Sequence, residues 1–297
     1  MPSLAAKLTA ILFLPRADQP AAAMRLHASL SGAAEAWNSA FAPGSLFDAF
    51  SQSTVAGGVY EANRAVLGPI LRDGFRVVEI GGGNGRLWRG LISSGVEGEI
   101  VVVDPHPEGS AGVRSEVPES VAVRHICAPA QEADLPDSDV VIASLVLHHV
   151  AGTDRAHRRG HGLSGNGKRE LLVACANAAP RVIVNEADIY CDLDLPPGDA
   201  LLRERLCDSY VRRFAVSLAD DIAGSDDPDL RARWTAVVRD WSLGQLSVAD
   251  VPVGQRDVYE LDVSSWLRLL DSAGLRVESR QFTDRYLLFH QYVCARQ

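Results

Sequence analysis

Residues 76–90 read RVVEIGGGNGRLWRG: a short apolar run ends in three consecutive glycines, an asparagine and a fourth glycine. Such a run reads as a buried strand that hands a tight turn of bare backbone to a ligand. Two familiar cradles are tested against the spacing. The dinucleotide fingerprint G-x-G-x-x-G needs its third glycine for close helix–strand packing, and counted from Gly81 that position is Arg86. A triphosphate loop needs G-K-S or G-K-T, which the chain lacks. The pattern here is E-x-G-G-G-N-G, from Glu79 to Gly85, so neither cradle fits well.

Outward from this turn, similar apolar runs recur: FRVVEI (75–80), EIVVVD (99–104), VAVRHIC (121–127), DVVIASLV (139–146) and RVIVNEADI (181–189). Near-continuous Val/Ile runs are strands buried on both faces, hence a parallel sheet, and the spacers are long enough for helices. The expected class is a doubly wound α/β fold. Residues 1–70 read as helical, with breaks at Pro15, Pro20, Gly32 and 42–45. The run LTAILFL (8–14) is short for a secretory signal and is interrupted by Arg16 and Asp18, so a helix packed on the domain is expected. After Asp192 the strand pattern stops. Leu202, Leu206, Tyr210 and Phe214 form a helical stripe, and a second helix starts at Asp227–Pro228 with Leu230, Trp234, Val237, Val238 and Trp241 on one face. These helices read as a cap inserted before SSWLRLLDSAGL (264–275), a helix ending at Gly274. Two last strands follow, joined by the short link TDR (283–285) and therefore antiparallel.

Composition narrows the class of partner. The 297 residues carry a net charge of −9, which disfavours a phosphate backbone. No run of 18 apolar residues is present, so no membrane span is expected. The five cysteines are odd in number and widely spaced, with no C-x-x-C pair, which points to a reducing, cytoplasmic setting.

The next strand places Asp104 at its end, 23 residues after Gly81, where a carboxylate can accept both hydroxyls of a ribose. Together, VVEIGGGNG, VVVDPHP and DVVIASLVLHHV resemble the first, second and fourth motifs of the class I S-adenosylmethionine-dependent methyltransferases. The resemblance covers about 70–190 and 255–297. It implies a seven-stranded, mostly parallel sheet with an antiparallel last strand, with N-terminal helices and an inserted helical cap added. The units would be a helical segment 1–70 forming part of a substrate lid, a cofactor-binding core 71–190 with 255–297, and a cap 191–254.

Carried over by position, the resemblance implies S-adenosyl-L-methionine as cofactor. Gly81, Gly83 and Gly85 would approach its methionyl end, Glu79 would support the loop, and Asp104 would hold the ribose. Ser144 and Leu145 would line the methionine, with Gln131 or the backbone around Ala130 near the adenine; Asn84 and Pro105 stand in the same two motifs and complete the set. Transfer of a sulfonium methyl needs alignment, and a base only if the acceptor is a hydroxyl or another group of high pKa. His148 and His149 stand where a base could act; the alternative is that one lines the pocket and the other packs in the core. Glu186 and Asp188 leave the fifth strand at the same edge and either contact the acceptor or support the site. A metal site from Glu186, Asp188, Asp192, Asp194, His157 and His161 is not expected. The basic stretch 151–170, with Arg155, Arg158, Arg159, Lys168 and Arg169, reads as a solvated connection or a lid.

Aromatic residues of the helical additions (Trp37, Phe41, Tyr60, Tyr210, Phe214, Trp234) suggest an apolar roof, which suits a small-molecule acceptor over a polymer. The expected activity is therefore methyl transfer to an O or N atom of a small organic molecule, with secondary metabolism as the setting, by a monomer or homodimer. The competing readings are a fold relative that catalyses a non-methylating reaction such as cyclisation, a nicotinamide-dependent oxidoreductase, and a non-catalytic scaffold.

Overall fold

A computed structural model describes residues 2–30, 45–150, 166–189, 195–252 and 261–297. Seven strands form one sheet: β1 (Phe75–Ile80), β2 (Gly98–Val103), β3 (Val121–Ile126), β4 (Val140–Ser144), β5 (Arg181–Ala187), β6 (Leu275–Phe282) and β7 (Phe289–Arg296). Their order is β3-β2-β1-β4-β5-β7-β6. β1 to β5 are mutually parallel, and β7 runs antiparallel between β5 and β6. The chain direction of assembly reverses between β1 and β4, so the crevice at their carboxyl ends is where such a sheet takes a ligand. Gly81 leaves β1, and Ser144 ends β4, at that crevice.

Alternation along the strands divides the core. Val77, Ile100, Val102, Ile142 and Ile183 pack with Leu67 and Trp88 on one face. Val78, Ile80, Val101, Val141 and Val184 face Leu171 and Leu172 of helix Asn166–Ala178 and Trp266 and Leu270 of helix Val263–Ser272. A third cluster joins N-terminal helices to the 195–252 helices, with Leu8, Ala23, Phe50, Val59, Tyr210, Phe214 and Trp234 in it. Leu8 and Ile11 of helix Leu4–Leu12 are buried there, so that helix packs on the domain, while Phe13 and Leu14 at the end of the apolar run lie beyond the helix and are exposed.

The expected stripe of Leu202, Leu206, Tyr210 and Phe214 is buried throughout. Four-residue steps drift around an ordinary helix by about 40° each. The chain absorbs that drift by widening: an α-turn segment Ala200–Cys207 passes into a π-helical segment Asp208–Ala215 and back to α at Val216–Gly224. The second helix starts as expected, with the Asp227 carboxylate accepting the Asp229 and Leu230 N–H groups at 2.9 and 3.1 Å and Pro228 in the first turn. One detail differs from the sequence reading. The link between β6 and β7 is 283–288 and not 283–285, because the Asp284 carboxylate gathers the N–H groups of Tyr286, Leu288 and Phe289, at 2.7–3.3 Å, and keeps 286–288 out of the strand.

Candidate functional site

The glycine turn is shaped by its neighbours. Gly81 has φ +77°, and a methyl group there would come within 2.8 Å of the Val146 side chain. Gly85 has φ +73°, and a methyl there would overlap the Gly112 carbonyl of helix Pro107–Glu116, which packs directly on the turn. Both positions therefore demand glycine on two counts, left-handed backbone and space. Helix Thr54–Leu67 secures the far side, since Arg64 donates to the carbonyls of Leu87 and Arg86 at 3.0 and 2.6 Å. From above, the short helix Leu46–Phe50 and the residue after it reach down: Arg86 pairs with Asp48 at 3.3 Å, and half-buried Asn84 donates to Ser51 Oγ at 2.7 Å. The Phe47 ring lies 3.2 Å from where a Gly83 Cβ would stand.

Glu79 is buried beneath the turn and accepts the Trp88 indole N–H at 2.7 Å. Burial pushes its carboxyl up to about 8; the Trp88 bond works against this and the nearby Asp104 adds to it. Asp104, the residue after β2, is buried as well, and burial raises its pKa against the pull of the backbone N–H groups of His106 and Gly82. The His106 N–H is 2.8 Å from Oδ1. The carboxylate keeps lone pairs for the two hydroxyls of a ribose. Pro105 is exposed beside it, and Gln131 is exposed in the turn Ala130–Glu132 that follows β3.

At the end of β4 the backbone departs from the ordinary. Leu145 has φ +54°, a conformation that branched and bulky residues adopt only when held there. Its N–H donates to the Asn185 carbonyl at 2.8 Å. Ser144 Oγ donates to Asn185 Oδ1 at 2.8 Å and accepts from Asn63 Nδ2 at 2.9 Å, so the hydroxyl is engaged within the core. Glu186, 1% exposed on β5, closes the turn from the other side. Its Oε1 accepts the N–H groups of Val146 and Leu147 at 3.0 and 2.6 Å, and its Oε2 lies 2.9 Å from His148 Nδ1. The His148 and His149 rings are 4.0 Å apart.

The structure thus brings together Gly81, Ser144, Leu145, His148 and Glu186 at one edge. Asp188 is drawn elsewhere: Arg213 pairs with it at 2.9 Å and the Val263 N–H donates to it at 3.0 Å, making it a strut between the end of β5, the segment Asp208–Ala215 and helix Val263–Ser272. Tyr60, Tyr210, Phe214 and Trp234 join the cluster over the site, centred on Phe50, whose ring lies 5.9 Å from those of Phe214 and Trp241 and 6.1 Å from that of Phe289. Trp37 and Phe41, the stretch 151–165 with Arg155, His157, Arg158, Arg159 and His161, and Cys191, Asp192 and Asp194 lie outside the described residues. Among the described residues no three His, Cys, Asp or Glu side chains are grouped as a metal site, and no helix is long and apolar enough to cross a membrane.

Sequence reasoning passed over Phe50 and Asn63. Asn63 had a signal: it occupies the buried stripe Val55, Ala56, Val59, Asn63, Leu67, where a lone amide needs partners.

Residues 78–163 match the family described as Methyltransferase domain. No curated protein matches the chain. Among solved structures, a chain of the Haloferax volcanii complex of the Trm112 methyltransferase activator with a methyltransferase is similar at 12% identity and TM-score 0.50, covering 89% of this chain and 99% of that one. Magnesium protoporphyrin IX methyltransferase from Synechocystis is similar at 11% identity and TM-score 0.45, covering 90% and 100%. Mitomycin 7-O-methyltransferase is similar at 16% identity and TM-score 0.46, covering 97% and 75%. The buried carboxylate after β2 and the bare-backbone turn after β1 fit the nucleoside and sulfonium of S-adenosyl-L-methionine, the cofactor of this domain. Residues 78–163 thus match a methyltransferase domain, set in a seven-stranded, mostly parallel α/β fold.

Proposed function

We propose that the enzyme methylates an oxygen or nitrogen atom of a small organic molecule, with His148 as the general base. The observation that carries this is the Glu186–His148 contact of 2.9 Å, made by a carboxylate whose other oxygen is held by two backbone N–H groups. A carboxylate at Nδ1 makes that nitrogen the proton donor, so the neutral ring carries its basic lone pair on Nε2. The bound cofactor supplies an electrophilic methyl on sulfur. The protein's part is to hold the cofactor, align the acceptor, exclude water and take a proton from the acceptor at His148 Nε2.

In this reading Gly81, Gly83, Asn84 and Gly85 cradle the cofactor over Glu79. Asp104 takes the ribose, Pro105 and Gln131 flank the nucleoside, and Ser144 and Leu145 border the methionine. The core 71–190 with 255–297 carries these groups, while the segments 1–70 and 191–254 form the roof. The roof's aromatic cluster around Phe50 supports a compact apolar acceptor over a polymer.

The test is a panel of phenols and amines, with product mass as the readout and with His148→Gln beside the wild type. A gain of one methylene unit per turnover is expected. In His148→Gln, kcat falls by about 10²-fold or more while affinity for S-adenosylhomocysteine is unchanged. Equal kcat in variant and wild type across the pH range removes His148 as the base.

A further inference from the structure

Five side chains form one directed hydrogen-bonded chain along one face of the sheet and the helix Thr54–Leu67 packed on it. Gln281 Nε2 donates to Gln291 Oε1 at 2.8 Å, Gln291 Nε2 to Asn63 Oδ1 at 2.8 Å, Asn63 Nδ2 to Ser144 Oγ at 2.9 Å, and Ser144 Oγ to Asn185 Oδ1 at 2.8 Å. There the chain stops. Asn185 is 0% exposed, and its Nδ2 has no partner among the described residues. Turning every amide over would reverse the chain and leave Oδ1 unpartnered in place of Nδ2, because among the described residues the Ser144 hydroxyl is the single side-chain partner of that carboxamide. In either sense one atom of Asn185 is left to be satisfied, and burying such an atom unpaired is costly.

Strand register says what lies in line with it. Val103, Ile80, Ala143 and Val184 are paired across β2, β1, β4 and β5. The residues one step further along these four strands are Asp104, Gly81, Ser144 and Asn185, which therefore form a row across the carboxyl edge. The row spans three strand spacings, roughly 14 Å. A nucleoside held at Asp104 with its sulfur over Gly81 directs its amino-acid tail along this row, past Ser144, to Asn185.

We infer that Asn185 is a cofactor-binding residue whose carboxamide N–H takes the carboxylate of the methionine portion, and that Asn63 is a positioning residue that aims it through Ser144. This rests on the cofactor lying over Asp104 and Gly81 as proposed above. It explains why an amide chain runs from exposed Gln281 on an edge strand, by way of Asn63 of helix Thr54–Leu67, to buried Asn185 at the carboxyl edge, and why its last donor has no partner among the described residues.

Calorimetric titration of the full chain tests this with three probes: S-adenosylhomocysteine, its decarboxylated analogue, which keeps the amine, and 5′-methylthioadenosine, which lacks the whole tail. Asn185→Asp keeps the acceptor for Ser144 and removes the donor. It is expected to weaken S-adenosylhomocysteine about 10- to 100-fold while the other two probes move by less than about twofold. Asn63→Leu, one link back, is expected to weaken S-adenosylhomocysteine about 3- to 10-fold with the same sparing of the other two. Should Asn185→Asp fail to fold, wild-type protein still decides: it should prefer S-adenosylhomocysteine to the decarboxylated analogue by about 10-fold or more. Equal weakening of all three probes, or no weakening of any, overturns the assignment. Wild-type protein that takes up neither S-adenosylhomocysteine nor 5′-methylthioadenosine overturns the underlying placement of the cofactor instead.

Discussion

Replacing Glu186 separates its two jobs, holding the turn after β4 and orienting His148. In Glu186→Ala the N–H groups of Val146 and Leu147 lose the acceptor they share, at 3.0 and 2.6 Å, in a place where Leu147 is fully buried. Two stranded donors at about 1–3 kcal/mol each put the loss near 4 kcal/mol. With an unfolding entropy of about 2.1 cal/mol/K per residue, a chain of this length loses about 6 °C in Tm for that change. Glu186→Gln keeps an amide oxygen for both N–H groups, so its loss stays below about 1.5 kcal/mol, about 2 °C. Its NH2 group, however, now faces His148 Nδ1 and donates to it. The ring proton then belongs on Nε2, so the base proposed for His148 is lost while the fold is kept. Differential scanning calorimetry of the two variants beside the wild type, followed by turnover on the best acceptor of the panel, reads both effects. Melting temperatures for the Ala and Gln variants within about 1 °C of each other would refute the backbone clamp. Wild-type turnover in Glu186→Gln would refute the orienting role.

Two further predictions concern the glycine turn. Because burial raises Glu79 to about 8, the folded protein holds a proton there that the unfolded chain releases near the usual carboxylate value, so this group lowers stability progressively as pH rises between those limits and leaves it unaffected below them. Relative to Glu79→Gln, the wild type should lose stability from about pH 5 to about pH 8 and hold a constant deficit above; parallel urea-denaturation midpoints for the two proteins across that range exclude the raised pKa. Gly85→Ala must adopt φ +73° and push against the Gly112 carbonyl. A loss above about 3 kcal/mol, read as a Tm drop of about 5 °C or failure to accumulate as folded protein, is expected, and a wild-type melt contradicts the close packing of helix Pro107–Glu116 on the turn.

Much of the fold was readable because its signals are local. Val/Ile runs mark β1 to β5, the glycines mark the turn, and Asp227–Pro228 and Gly274 mark helix ends within one or two residues. Asp104 was readable from its place directly after an apolar run. The site was only half legible. Ser144 and Glu186 lie at the expected edge, yet Ser144 spends its hydroxyl on Asn63 and Asn185, and Glu186 spends its carboxylate on two backbone amides and His148. Asp188 had the same sequence signal as Glu186 and turned out to brace Arg213 and Val263. Two residues further along a strand share a face, so periodicity could not tell a carboxylate at the crevice from one behind it.

By itself the sequence determined which segments are strands, where bare backbone interrupts them and where a lone acidic group follows, since each of these depends on neighbours within a few residues. Tertiary structure alone decided which side chains meet. Gln291 reaches Asn63 across 228 residues and Glu186 reaches Leu147 across 39, because the sheet places β1 between β2 and β4 and β7 between β5 and β6. Hydrogen-bond partners across a sheet follow strand order and register, and those are set by the packing of all the layers at once.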